Sequence, residues 1–125
     1  MTTYNCLPGH NRTAALTEAA AVLAAGKLVV MPTDTVYGIA CDAFNPAAVA
    51  ALLAAKHRGP DMPVPVLVGS WAAAEELAGD LPEPAVALMK AYWPGGLSVV
   101  VPQSSTVKWN LGETSHSVML RMPLN

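Results

Sequence analysis

The sequence predicts an α/β fold, with short strands alternating with helices. Three observations carry that expectation. Short apolar runs rich in β-branched residues recur at Leu28-Val29-Val30-Met31, Val64 to Val68, Leu97 to Val101 and Ser117 to Met122. Between the first three lie stretches with helical capping signals at their starts. A polar cluster, Pro32-Thr33-Asp34-Thr35-Val36-Tyr37-Gly38, follows the first run directly. That is the carboxyl end of a strand, where open α/β sheets place their ligands.

Taken in order, Thr13 can cap a helix over Ala14 to Ala25, with Gly26 in the terminating position. Leu28 to Met31 is short and uninterrupted, which suits a strand buried on both faces, and Pro32 ends it. Asn45-Pro46 reads as an N-cap followed by proline at the first helical position. Val49, Leu52 and Leu53 then form an apolar stripe on a helix running to His57, and Gly59-Pro60 stops it. Val64 to Val68 is the second strand, and Pro65 removes one ladder donor there, which suggests an edge. Ser70 and Asp80 are expected to cap two more helices, over 71–78 and 82–92, the second broken by Trp93-Pro94-Gly95-Gly96. Leu97 to Val101 and Ser117 to Met122 are the third and fourth strands, separated by a polar loop with Lys108 to Gly112.

A chain of 125 residues supports one hydrophobic core, and a composition 53% apolar and 13% charged is that of a globular protein. No stretch approaches the roughly 18 to 20 apolar residues of a membrane span. The first residues lack the basic segment and apolar core of a signal peptide, so the expectation is a soluble cytoplasmic protein without membrane association. Cys6 and Cys41 have no His or Cys at ligand spacing and read as reduced thiols, Cys41 in the core. A net charge of −2 argues against broad electrostatic coating of nucleic acid, so any RNA contact would be local. The sequence stops just after the fourth strand with no closing helix. The expectation is therefore one domain over 1–125, representing the N-terminal part of a fold whose C-terminal portion is missing.

Lys56 and Arg58 end the second helix, where cations normally answer the helix dipole at roughly 0.3 to 1 kcal/mol each. Residues two apart do not share a helix face, so both reach one ligand only if the helix unwinds near His57. An arginine fork on phosphate oxygens, at roughly 1.5 to 3 kcal/mol per charge-assisted bond, would justify that arrangement. Thr33 and Asp34 are read as satisfying their own turn. Thr35 and Tyr37 alternate with Val36, and in extended geometry their hydroxyls lie on one side, suited to a small polar ligand. In the fourth strand, Ser117, Met119 and Arg121 share one face and Val118, Leu120 and Met122 the other. An unpaired inward arginine in so apolar a chain is costly, so Arg121 is expected to pair with an anion. Ser117 and Arg121 would stand about 13 Å apart, a span for two ends of an extended ligand.

The remaining candidates point elsewhere. The three histidines lie in separate segments without metal spacing, and no metal site is expected. Neither Gly-x-x-x-x-Gly-Lys nor Gly-x-Gly-x-x-Gly occurs. Trp93 and Trp109 read as packing residues.

Four motifs in order, Pro32 to Gly38, Lys56-x-Arg58, Trp93-Pro94-Gly95-Gly96 and Val118-Met119-Leu120-Arg121-Met122-Pro123, closely resemble the YrdC-like family of threonylcarbamoyl-AMP synthases, of actinobacterial type. The resemblance spans nearly the whole chain. It implies a YrdC-like twisted, open, mixed sheet with flanking helices around a basic cavity. It further implies a nucleotidyltransferase that condenses L-threonine, bicarbonate and ATP, with magnesium, to threonylcarbamoyl-AMP and pyrophosphate. A threonylcarbamoyl transferase complex then modifies tRNA. By motif, Thr35 and Arg121 would hold threonine, with Tyr37 and Leu67 beside them. Lys56, Arg58, Met62 and Ser117 would hold ATP, Lys56 and Arg58 also neutralising charge in the transfer. The family's Ser-x-Asn motif lies beyond the last residue, and its usual histidine after Pro-Leu is Asn125 here. The competing expectation is a non-catalytic module of the same superfamily that binds double-stranded RNA or tRNA.

Overall fold

The computed structural model describes residues 1–124, so Asn125 lies outside the described residues. Helix α1 (Arg12–Ala24) is capped by Asn11, whose Oδ1 accepts from the Ala14 amide at 3.1 Å. The sequence placed that cap at Thr13. Thr13 lies inside the first turn instead, and its carbonyl accepts from the Thr17 hydroxyl at 2.9 Å. Gly26, at φ +75°, supplies the left-handed turn that ends the segment.

Strand β1 (Val29–Met31) pairs antiparallel with β2 (Gly38–Ala40), which the sequence reading did not foresee. The two form a hairpin sheet of their own. This corrects the expectation of a strand buried on both faces: Val30 is 68% exposed among the described residues. A β-branched apolar run fits a pleated surface whether one face or both are covered, so composition could not choose. Residues 32–37 turn the chain back between the strands.

Helix α2 (Pro46–Ala55) starts as expected, with Asn45 Oδ1 accepting from the Ala48 amide at 3.1 Å and Pro46 in the first turn. It stops two residues short of His57. The His57 amide bonds Ala54 O at 3.0 Å and the Arg58 amide bonds Leu53 O at 2.9 Å, with His57 at φ 53°. That is a Schellman ending with histidine where glycine is usual.

The second sheet is mixed, in the order β3-β5-β4. β3 (Val66–Leu67) runs parallel to β5 (Ser117–Arg121) at one edge, where Pro65 precedes it, and β4 (Val99–Pro102) runs antiparallel on the other side. Between them come α3 (Trp71–Leu77), capped by Ser70 as expected, and α4 (Glu83–Tyr92). Asp80 does not cap α4. Pro82 holds that position without a side-chain bond, because proline at the N-cap brings only its fixed backbone.

The β5 burial alternates as the period of two requires. Val118 and Leu120 are 2% and 0% exposed, while Ser117 and Arg121 are partly covered and Met119 is exposed. The buried face joins Val66, Val99 and Val101 from the sheet to Val49, Leu53, Ala74, Met89 and Trp93 from the helical side. Burying a leucine such as Leu120 is worth roughly 1.5 to 3 kcal/mol. Trp93 and Trp109 both pack, as expected, Trp93 against Trp71 at 5.7 Å and Trp109 against Phe44 at 5.3 Å. Helices α2, α3 and α4 thus pack on the buried face of the mixed sheet, and Arg121 alternates to the other.

Candidate functional site

The 32–37 loop is built by Thr33. Its hydroxyl donates to Val36 O at 2.6 Å and accepts from the Thr35 and Val36 amides, each at 3.2 Å. This bears out the self-satisfying reading for Thr33. It also corrects the extended geometry expected for Thr35 and Tyr37: the segment bends, Thr35 Oγ1 comes to 3.2 Å from Thr33 Oγ1, and Tyr37 is 75% exposed. Three backbone-directed bonds from one hydroxyl outweigh the tendency of the strand to continue.

Asp34 does not satisfy its own turn. Its Oδ1 pairs with Arg121 Nη2, and its Oδ2 accepts from the Leu124 amide at 2.9 Å. This corrects the sequence reading. The anion expected for Arg121 is supplied, in the described residues, by the protein itself. Arg121 also donates from Nη1 to Thr35 Oγ1 at 3.2 Å and from Nε to Gly95 O at 3.1 Å. Three segments distant in sequence, the 32–37 loop, the Trp93 to Gly96 break and the end of β5, therefore meet on one guanidinium. The side chains of Arg121 and Asp34 are only 15% and 13% exposed.

Gly95 is held for a steric reason. A Cβ there would lie 2.7 Å from Tyr92 O, and its amide donates to Met122 O at 2.8 Å. The Trp93-Pro94 peptide is cis. Trp93 Nε1 donates to Leu97 O at 2.8 Å, fixing the break from inside. Leu67 is the register partner of Arg121 and is 38% exposed, so it flanks the guanidinium on the same open face. Ser117 lies at the far end of β5, its hydroxyl donating to Thr114 O at 2.6 Å. Its lone pairs remain for a ligand donor.

Lys56 and Arg58 are exposed, and the unwinding expected at His57 occurs. Arg58 borders an open pocket of about 330 Å³ with Leu53, Pro60, Asn110 and Gly112. Met62 is 46% exposed in the bend that follows. Of the residues read as one site, the structure brings Thr35, Leu67 and Arg121 together. Among the described residues no hydrogen bond or ion pair links Lys56, Arg58 or Met62 to that group, and α2, whose C-cap is Lys56, sends Val49 and Leu53 into the core. Asp34 and Gly95 are the members that sequence reasoning missed. A signal for Asp34 existed: an inward arginine needs an anion, and the chain has nine Asp and Glu to choose from.

Among the described residues no three His, Cys, Asp or Glu side chains gather into a metal-binding group. Cys41 is half-buried rather than core, and its thiol is pushed up by burial first and by the neighbouring Asp42 carboxylate second. Among the described residues no helix is long and apolar enough to cross a membrane.

A family model described as "Telomere recombination", Sua5_yciO_yrdC, matches residues 21–125. The chain belongs to the Sua5/YciO/YrdC family. The match covers the four motifs at residues 32–38, 56–58, 93–96 and 118–123. Within the family, the chain is 53% identical over 123 residues to a Mycobacterium tuberculosis protein grouped by name with the threonylcarbamoyl-AMP synthases; the match covers 98% of this chain and 57% of that one. The Pyrococcus abyssi threonylcarbamoyl-AMP synthase is 39% identical over 105 residues, 84% of this chain and 31% of its own length. Among solved structures, P. abyssi Sua5 complexed with L-threonine matches 86% of this chain and 32% of its own, at 38% identity and a TM-score of 0.80. Escherichia coli YciO, at 18% identity and a TM-score of 0.81, shares the fold. The chain spans a little over half the length of the mycobacterial relative.

Proposed function

We propose that this Sua5/YciO/YrdC chain serves a threonylcarbamoyl-AMP synthase, joining L-threonine, bicarbonate and ATP and releasing pyrophosphate. The observation that carries the reading is the Arg121-Thr35 pair on the open sheet face. A guanidinium and a hydroxyl 3.2 Å apart match the carboxylate and polar groups of a small amino acid. The solved P. abyssi relative bound to L-threonine supports that identity for the ligand.

In this reading Arg121 takes the threonine carboxylate and Thr35 a neighbouring polar group, with Leu67 and Tyr37 bounding the space. Lys56 and Arg58 take ATP phosphates, while Met62 and Ser117 contact the nucleotide. The threonine amine condenses with bicarbonate to a carbamate, the new C–N bond replacing a C–O bond whose oxygen leaves as water. Its oxygen attacks the α-phosphorus of ATP, and the bond to the leaving pyrophosphate breaks. Such transfers depend on positioning and charge neutralisation more than on a dedicated base. The described residues offer magnesium no resident cluster, so the ion belongs to the proposal only as a companion of the nucleotide phosphates. Transfer of the group to tRNA by a threonylcarbamoyl transferase complex, in the cytoplasm, completes the proposed role.

The test is pyrophosphate release by the full chain, with the adenylate identified by mass spectrometry. Release should require L-threonine, bicarbonate and ATP together. Equal ATP turnover when threonine or bicarbonate is left out would sink the reading.

A further inference from the structure

We infer that Asp34 is the positioning residue of the amino-acid site: it fixes the Arg121 guanidinium so that one N–H on each terminal nitrogen is left for a ligand carboxylate. The inference rests on the proposed threonine site and deepens it. An arginine carries five N–H donors, one on Nε and two on each Nη. Three are spent inside the protein, Nε on Gly95 O, one Nη1 hydrogen on Thr35 Oγ1 and one Nη2 hydrogen on Asp34 Oδ1. Among the described residues, one donor on Nη1 and one on Nη2 remain. A carboxylate needs such a pair for a bidentate fork-to-fork bond.

Asp34 is built to hold rather than to shield. Its second oxygen is committed to the Leu124 amide, so the carboxylate ties the 32–37 loop to the segment after β5 at the same time as it orients Arg121. Both side chains are largely covered, which limits the freedom of the pair to swing out. Without Asp34, Nη2 loses its internal partner and the guanidinium can rotate about its long side chain. The fork would then have to be ordered anew by each incoming ligand.

The experiment compares L-threonine with L-threoninol, which keeps the amine and hydroxyl but lacks the carboxylate, by calorimetric titration of the full chain. Asp34→Ala and Asp34→Asn are measured beside the unmodified protein, with thermal unfolding of each. The expected result is a preference for threonine over threoninol that falls by about tenfold in Asp34→Ala, the equivalent of one charge-assisted bond. Asp34→Asn, which keeps an acceptor oxygen, should lie between the two. A preference that stays constant while both affinities fall would make Asp34 a structural residue and overturn the inference. So would an unchanged threonine affinity. Should Asp34→Ala fail to fold, Asp34→Asn decides alone, by the same preference. An unmodified protein that binds no threonine would remove the proposed site itself, a failure distinct from one seen only in the variants.

Discussion

Replacing Arg121 by alanine tests the amino-acid site most directly, because the structure separates what that side chain does for the fold from what it offers a ligand. Among the described residues the guanidinium makes three bonds, to Asp34, Thr35 and Gly95. Removing it leaves a carboxylate only 13% exposed with the Leu124 amide as its remaining partner. A charged group so stranded costs about 1 to 3 kcal/mol of stability. Toward threonine, the loss is the two remaining donors, and one charge-assisted interaction of roughly 1.5 to 3 kcal/mol converts to a ten- to hundredfold weaker affinity. ATP should be affected far less, since its phosphates are assigned to Lys56 and Arg58 rather than to Arg121. Calorimetric titration of the full chain with each ligand gives both numbers, and Arg121→Lys, which keeps the charge without the fork, should recover only part of the threonine affinity. An equal loss for threonine and ATP would show that Arg121 supports the fold and not the ligand.

Gly95→Ala places a Cβ 2.7 Å from Tyr92 O, so it should destabilise by about 1 to 3 kcal/mol and, by displacing the carbonyl that receives Arg121 Nε, weaken threonine binding more than ATP binding. His57→Gly should stabilise the chain by roughly 0.5 to 1 kcal/mol in urea unfolding, because a left-handed C′ position suits glycine; a loss of stability would mean the histidine side chain holds the turn. Asn45→Ala removes the α2 cap and should cost about 1 kcal/mol by the same measurement. Cys41, held in the thiol form by burial, should alkylate more slowly than the exposed Cys6; because its folded pKa is raised, its contribution to stability is full at neutral pH and is lost as alkaline pH ionises the unfolded chain first.

The parts of the fold legible in the sequence were those where one local rule had no rival. Asn45-Pro46 and Ser70 cap the helices they precede, since both offer a side-chain acceptor at the right offset. The β5 alternation followed from period two, because one face is covered by α2, α3 and α4 and the register cannot slip. Where two rules compete, tertiary context decides. Thr13 and Asn11 are both cap residues, and only the three-dimensional path of residues 8–11 selects Asn11. The run at residues 28–31 is apolar enough for a central strand, yet the chain turns back within six residues and pairs it in a hairpin.

The site shows the same division. That Arg121 faces away from the apolar side and needs an anion followed from alternation and the cost of a bare charge. Which anion answers it did not, because Asp34 is 87 residues away and its neighbours suggest a closed local turn. The pairing changes the electrostatics of the proposed reaction. Arg121 is already largely neutralised, so a threonine carboxylate arrives at a site with little net positive charge and must bind through the directionality of the free fork. ATP brings several negative charges to a chain of net charge −2, and only the exposed Lys56 and Arg58 stand ready in the proposed nucleotide site. Exposed charges are screened within about 10 Å at 0.1 M salt, whereas partly buried bonds are not. Raising salt from 0.05 to about 0.5 M should therefore weaken ATP binding steeply and threonine binding slightly. The same salt dependence for both ligands would mean that Lys56 and Arg58 share the covered environment of Arg121, and that the two halves of the site close together when the ligands bind.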